Sequence, residues 1–295
     1  MQDVPVFSPS ATETFSKCPR KWALNRAGWK PRTIQYPELC AVLGDGFSAS
    51  MNLLNSMLIE GVVTLPRTEI LAVGQAAMSD KLAAYLEAGR RIHTKDEEFA
   101  DLLPLRLEQA VNLYIDHNPL KDWKLLQSEK TYEQHGRCRI DVLADPLDSL
   151  GPAVVDYKLK VKLDPEWLDA EIDKHAKTQQ RFHYQWATGA KRFYIVLVVL
   201  AGNRKKITPY VKLSAPFGAS PYYDSGLWHQ DAMAQWYFMA TAKAELERGR
   251  PMYAIPGSQV HEDKWGPCEF EDACLTHVLD EKAMAVQYVQ IQRSK

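Results

Sequence analysis

What this sequence lacks narrows it first. Its longest apolar run, Phe193 to Ala201, falls well short of the ~20 residues that a membrane-spanning helix needs. No Gly/Ser- or Pro-rich linker divides the chain, and no repeat or low-complexity tract interrupts it. An excess of one charge is also missing. Lys plus Arg number 36 against 37 Asp plus Glu, a formal net charge of −1, which argues against coating nucleic acid by bulk positive charge. Met1 to Pro9 carries neither a basic n-region nor an apolar stretch, so no secretory signal is expected and a cytoplasmic location is. Cysteine is sparse. In a reducing compartment, Cys18, Cys40, Cys138, Cys268 and Cys274 are not expected to form a disulfide framework, which leaves metal binding, catalysis or burial as their uses.

What is present is an ordinary globular composition, 46% hydrophobic and 25% charged, with enough apolar mass for a sizeable core. Apolar spacing predicts a helix capped by Ser8 or Ser10 and ending near Gly28, then helices over Glu38–Met57, Thr68–Arg91 and Asp96–Asp116, the last kinked or restarted at Pro104. The pattern then changes to strands over Trp123–Gln134 and Arg137–Asp145, joined at His135-Gly136, and over Ala153–Leu159. A long amphipathic helix is expected over Pro165–Ala187 and a buried central strand over Arg192–Leu200. A turn at Gly202-Asn203 leads to an edge strand over Lys206–Leu213, and a helix over Leu227–Gly249 precedes an irregular tail. This order predicts an α/β fold, a mixed central sheet flanked by helices. Three regions are expected: a helical segment over 1–120, a core over 121–250, and a cysteine-bearing tail over 251–295 packed on the N-terminal helix.

The sharpest chemistry lies in Gly136-Arg137-Cys138-Arg139-Ile140-Asp141 followed by Val154-Val155-Asp156-Tyr157-Lys158. Strand alternation puts Val154, Asp156 and Lys158 on one face and Val155 and Tyr157 on the other. Asp141, on the neighbouring strand, is expected to meet Asp156. Two adjacent carboxylates repel unless a cation separates them. Oxygen ligands of this kind suit Mg²⁺ or Mn²⁺, which lowers the pKa of a bound water and offsets phosphate charge. Lys158 can orient that water or stabilise developing negative charge. The bland alternative, one surface Asp on each strand beside an exposed Lys, is disfavoured because both acids sit in apolar strand sequence. Gln180 and Tyr184, four residues apart, share a helix face that can return to this site. Lys17-Cys18-Pro19-Arg20-Lys21, Lys158-Leu159-Lys160-Val161-Lys162 and Arg204-Lys205-Lys206 either line a nucleic-acid groove or are solvated surface. Trp22, Tyr157, Phe182 and Trp186 are candidates for base stacking, with packing the better expectation for each.

The series Asp141, Asp156-Tyr157-Lys158 and Gln180-x-x-x-Tyr184 resembles the RecB-like branch of the PD-(D/E)XK nucleases. So does the opening Ser8-Pro9-Ser10 helix with its Cys18-Pro19-Arg20-Lys21-Trp22 ending, and so does the closing Cys268-x₅-Cys274. The resemblance covers about residues 8 to 275. It implies a restriction-endonuclease-like core and a DNA exonuclease that takes single-stranded or free-ended DNA, in repair, recombination or phage DNA metabolism. By the same resemblance, Asp141, Asp156 and the backbone carbonyl of Tyr157 bind Mg²⁺ or Mn²⁺, Lys158 activates water, and Gln180 and Tyr184 support the site.

Iron–sulfur members of the branch hold a [4Fe–4S] cluster on four cysteines. Cys18, Cys268 and Cys274 match three of them. Trp265 stands at the fourth position, so His261 is the nearest substitute ligand, for a cluster or for Zn²⁺. A decayed site of merely packed cysteines is the competing reading, and Cys40 and Cys138 match no ligand position. Many members also carry a metal-binding His in an early Gly-x-x-x-His. Here the segment is Gly44-Asp45-Gly46-Phe47-Ser48, with Ser48 in the His place. Asp45 can substitute in principle, though its position is not the expected one, and Glu129, on the strand before Asp141, is an extra carboxylate or, the better expectation, a solvated strand residue. These departures keep open a catalytically degenerate DNA-binding or accessory protein on the nuclease fold, and a structural Cys/His metal protein.

Overall fold

A computed structural model describes residues 7–62, 64–133, 138–201, 208–218, 226–248, 262–263, 266–267 and 288–290. Ser8 opens helix α1 (Pro9–Lys17), its hydroxyl accepting from the Ala11 N–H at 3.4 Å. The single helix expected up to Gly28 is instead two, because Pro19 forces the residue before it out of helical geometry. Cys18 is extended (φ −155°, ψ 104°), ends α1 and caps α2 (Pro19–Arg26) by accepting the Lys21 N–H on sulfur at 3.3 Å. Strands β1 (Trp29–Pro31) and β2 (Thr33–Ile34) lead into α3 (Tyr36–Ile59), α4 (Arg67–Glu87) and β3 (Arg91–Ile92). The chain then breaks into α5 (Glu97–Asp101) and α6 (Leu103–Asp116), with Pro104 in the first turn of α6, where its missing N–H costs nothing.

The two long strands expected before Asp145 are each split. The first gives β4 (Lys124–Ser128) and β5 (Thr131–Tyr132), separated at Glu129, which adopts a left-handed φ of 48°. The second gives β6 (Cys138–Arg139) and β7 (Val142–Asp145), and the predicted His135-Gly136 turn lies outside the described residues. Next come β8 (Ala153–Lys160), α7 (Leu168–Ala176), α8 (Gln179–Thr188), β9 (Arg192–Val199), β10 (Tyr210–Leu213) and α9 (Leu227–Glu247). The predicted Pro165–Ala187 helix breaks at Thr178, which is extended and whose hydroxyl donates to the His175 carbonyl at 2.8 Å. The Gly202-Asn203 turn lies outside the described residues.

The central sheet has the order β10-β9-β8-β7-β4 and is mixed: β8 and β9 run parallel and the other neighbours antiparallel. It is the α/β layout with a mixed sheet that the element order implied, and it agrees with the restriction-endonuclease-like core that the resemblance implied. Every residue of β9 is buried, as its apolar sequence requires. One face of the sheet (Val155, Tyr157, Val196, Val198) packs on α3 and α6 through Leu43, Phe47 and Tyr114; the other (Val154, Phe193, Ile195) packs on α7 and α8 through Ile172, Tyr184 and Ala187. A third apolar cluster joins Trp22 of α2 to Trp228 and Trp236 of α9. The tail contributes β11 (Glu262–Asp263), paired antiparallel with β12 (Gly266–Pro267), and β13 (Tyr288–Gln290), which pairs antiparallel with β1. The tail therefore returns to the strand that follows α2, a pairing the tail sequence did not announce. Helices α3 and α4 cross closely at Gly46 and Gly74. A Cβ on Gly74 would lie 2.1 Å from Ser50 Oγ and 2.7 Å from the Gly46 carbonyl.

Candidate active site

Strand β8 carries the centre. Its alternation is the one the sequence implied. Tyr157 points into the α3–α6 side, where its hydroxyl meets those of Tyr114 at 3.0 Å and the Asn55 side chain at 3.3 Å. Asp156 and Lys158 point the other way. Asp156 is 1% exposed, and its Oδ2 lies 2.6 Å from Lys158 Nζ. Its Oδ1 accepts from Gln180 Nε2 at 3.1 Å, and the same amide donates to the Tyr184 hydroxyl at 2.7 Å. Lys158 also reaches Gln180 Oε1 at 3.5 Å. The break at Thr178 is what turns Gln180 and Tyr184 toward β8. Both sit on one face of α8, as their i, i+4 spacing predicts.

Asp141 arrives differently from the expectation. It sits at a bend just ahead of β7 rather than inside a strand, and the β7–β8 ladder ends at the Val142–Val155 pair. Beyond that point the Asp141 carboxylate replaces the missing strand partner, accepting the Tyr157 N–H on Oδ2 at 2.7 Å. The bend is held by the Glu129 N–H, which donates to the Asp141 carbonyl at 2.9 Å, and the left-handed turn at Glu129 makes that bond reachable.

The electrostatics follow from this burial. Burial first, then the Asp156 charge, pushes the Asp141 carboxyl up to about 7, against the pull of Lys158 and the Tyr157 N–H. Burial works against the Lys158 ammonium, but Asp156 and then Asp141 outweigh it and hold its pKa above the usual lysine value. Lys158 is therefore a fixed cation beside two acids. The Tyr184 phenol is driven strongly upward by burial and by both aspartates, so it stays a neutral hydroxyl.

Asp141, Asp156, Lys158, Gln180 and Tyr184 line one cleft of about 400 Å³, together with Ser8, which caps α1, Ser10 and Glu13 of α1, Asp45 and Ser48 of α3, and Arg139. Two features of the cleft were not foreseen. Ser48 donates to Glu129 Oε1 at 2.7 Å, and Glu129 Oε2 pairs with Arg139 Nε at 2.6 Å, so Glu129 is no solvated strand residue. Arg139 thus adds a cation to the cleft wall. The sequence signal available for Glu129 was an acid one strand ahead of Asp141, and the tertiary contact with Ser48 gives it meaning. Asp45 also lines the cleft and pairs with Lys81 of α4.

A divalent cation fits the acidic pair. Two buried carboxylates converge, one with a raised pKa, and the Lys158 ammonium, 2.6 Å from Asp156 Oδ2, is one positive charge against the pair. Asp141, Asp156 and the Tyr157 carbonyl are the groups that would hold Mg²⁺ or Mn²⁺. Among the described residues, no group of three or more His, Cys, Asp or Glu side chains gathers as a metal site, so that set rests on two carboxylates.

Cys18 is buried at the α1–α2 junction, while His261, Cys268 and Cys274 lie outside the described residues, so the four residues of the expected cluster or zinc site are not brought together among them. Cys138 is buried, with its thiol pushed up to about 12 by that burial. The four stacking candidates pack, the better expectation for each. Trp22 and Tyr157 are buried, and Phe182 and Trp186 lie against the Trp228–Trp236 cluster. No helix among the described residues is long and apolar enough to cross a membrane.

Two comparisons with known proteins bear on this geometry. No curated protein matches the sequence. A family model for the PD-(D/E)XK nuclease superfamily matches residues 6–274, nearly the whole chain.

Proposed function

The chain belongs to the PD-(D/E)XK nuclease superfamily, and on that premise we propose that it is a Mg²⁺- or Mn²⁺-dependent deoxyribonuclease that digests single-stranded or frayed DNA from an end. The observation that carries the reading is the convergence of Asp141, Asp156 and Lys158 in one open cleft. When bound, the cation supplies a Lewis acid that lowers the pKa of water and neutralises charge on the phosphate. The protein's own groups do the rest. Asp141 and Asp156 fix the position of the reacting centre. Lys158, kept protonated by those acids, donates to the attacking water or to the phosphate oxygen that gains charge. Gln180 spans Asp156, Lys158 and Tyr184 and so locks the carboxylate and the ammonium in one arrangement. The Tyr184 hydroxyl anchors Gln180 and excludes water from behind the site.

The test is digestion of end-labelled single-stranded DNA with Mn²⁺. Wild type should degrade it, and Asp156→Ala and Lys158→Ala should not. Circular single strands should survive if the enzyme needs an end. A second reading, a degenerate DNA-binding protein on the same fold, draws on one observation: the Ser48 position holds Glu129 and contributes no imidazole. Binding of DNA by all three proteins with degradation by none would select it.

The proposal extends to a [4Fe–4S] cluster, or Zn²⁺, on Cys18, His261, Cys268 and Cys274. It is supported by the burial of Cys18 and by the return of the tail to β1. Iron, sulfide and zinc analysis of anaerobically purified protein decides it; protein free of all three removes this part alone.

A further inference from the structure

A second cavity, about 480 Å³, opens where β8 ends, between the N-terminal turns of α3 and the start of α7. It adjoins the catalytic cleft along both elements. On β8, Lys158 lines the cleft and Lys160 the cavity; they share a strand face, two residues and so about 7 Å apart. On α3, Gly44 and Asp45 line the cleft, Leu43 next to them lines the cavity, and so does Cys40 one turn earlier.

The lining has two characters. Leu43, Leu159, Val161 and Leu163 form an apolar wall, with Trp167 at the mouth, 59% exposed despite its size. Lys160, Lys162 and Lys174 supply positive charge. Glu171 organises part of it: its Oε1 lies 2.5 Å from Lys160 Nζ and 3.8 Å from Lys174 Nζ, and 3.1 Å from His175 Nε2. Three lysines against one glutamate leave the cavity cationic. An apolar wall, an exposed indole and ammonium groups at the rim fit a flat aromatic base joined to an anionic phosphate.

We propose that this cavity receives one unpaired nucleotide of the strand whose phosphodiester is cleaved at Asp141, Asp156 and Lys158. The base lies on Trp167 and the leucine wall, and the adjoining phosphate meets Lys162 and Lys174. This rests on the nuclease reading and sharpens it. A base lies flat against the leucine wall and Trp167 only when it is out of a duplex, so the cavity selects unpaired strands. It also follows the reacting centre along β8, Lys160 lying two residues beyond Lys158, so occupation of the cavity sets the register of the cut.

Cys40 makes the proposal measurable, because its thiol lies in the cavity and is only partly buried, whereas Cys18 and Cys138 are buried. The full chain is held with a short single-stranded oligodeoxynucleotide in Ca²⁺ or EDTA to suppress turnover. N-ethylmaleimide alkylation of Cys40 is followed by peptide mass spectrometry, with binding monitored by fluorescence anisotropy. At saturation, Cys40 labelling should slow about tenfold or more, and a blunt hairpin duplex of equal length should protect it much less. Trp167→Ala should weaken oligonucleotide binding about tenfold, with Trp167→Phe restoring most of it. Lys162→Ala should lower the slope of log affinity against log salt by about 0.7.

Saturating DNA that leaves Cys40 labelling unchanged overturns the cavity assignment and leaves the catalytic reading standing. Equal protection by duplex overturns the selection for unpaired strands. Failure of wild type to bind or cut any DNA instead removes the nuclease reading itself.

Discussion

Replacing Lys158 by Met probes the centre without any substrate. Methionine keeps the length of the stem and removes only the ammonium, so packing changes little while Asp156 loses its ion partner. In the native site Asp156 is 1% exposed and the side chain of Lys158 only 21%, so solvent screens their 2.6 Å contact poorly. Deleting one member of such a pair leaves a buried charge held by a single amide donor, Gln180, at a cost of about 3–5 kcal/mol. Unfolding entropy of ~2.1 cal/mol/K per residue gives about 0.6 kcal/mol/K for 295 residues, so Lys158→Met should lower Tm by about 5–8 °C in EDTA. Asp156→Asn in the same background removes the stranded charge and should recover most of that loss. Mn²⁺ should also recover part of it, since the cation takes over the lost compensation. Differential scanning calorimetry of wild type, both single variants and the double variant, with EDTA and with Mn²⁺, closes the cycle. A Lys158→Met protein as stable as wild type in EDTA, with no coupling to Asp156→Asn, would refute the claim that the buried pair is held by mutual compensation.

Three further outcomes follow from other parts of the molecule. Because the Asp141 carboxyl is raised from 3.8 to about 7, its contribution to metal-free stability is full at low pH and is lost as pH rises through about 7; a cation competes with that proton, so Mn²⁺ should raise Tm little near pH 5 and much more near pH 8, measured by thermal melts with and without EDTA. Gly74→Ala should destabilise by about 1–3 kcal/mol in urea denaturation, because its methyl group meets Ser50 Oγ and the Gly46 carbonyl at the α3–α4 crossing and that clash exceeds the helix-propensity gain. Arg139→Ala should reduce the salt slope of single-stranded DNA binding by about 0.7, and an unchanged slope would remove Arg139 from the DNA path.

The α/β character of the fold and the face on which Asp156 and Lys158 meet were legible in the chain itself. Both depend on periodicity, the two-residue alternation of β8 and the 3.6-residue repeat that puts Gln180 over Tyr184, and periodicity is written locally. Proline also acts locally. Pro104 foretold the restart of α6, and Pro19 held the information that split α1 from α2, although the continuous apolar pattern suggested one helix. Other features needed the folded molecule. The bend that lifts Asp141 out of its strand exists because Glu129 turns left-handed and bonds back to it. The break at Thr178 carries no strong signal, since neither Lys177 nor Thr178 forbids a helix, and only the packing of α8 on β8 selects it. Ser48, Glu129 and Arg139 are 81 and 10 residues apart in turn and became one arrangement only when α3 closed against the sheet. The sequence by itself determined which side chains could carry charge and metal and which face each would take, because those follow from residue type and local period. Tertiary structure alone decided which of them share a cleft and which cavity adjoins it, because those contacts join segments that no local pattern connects.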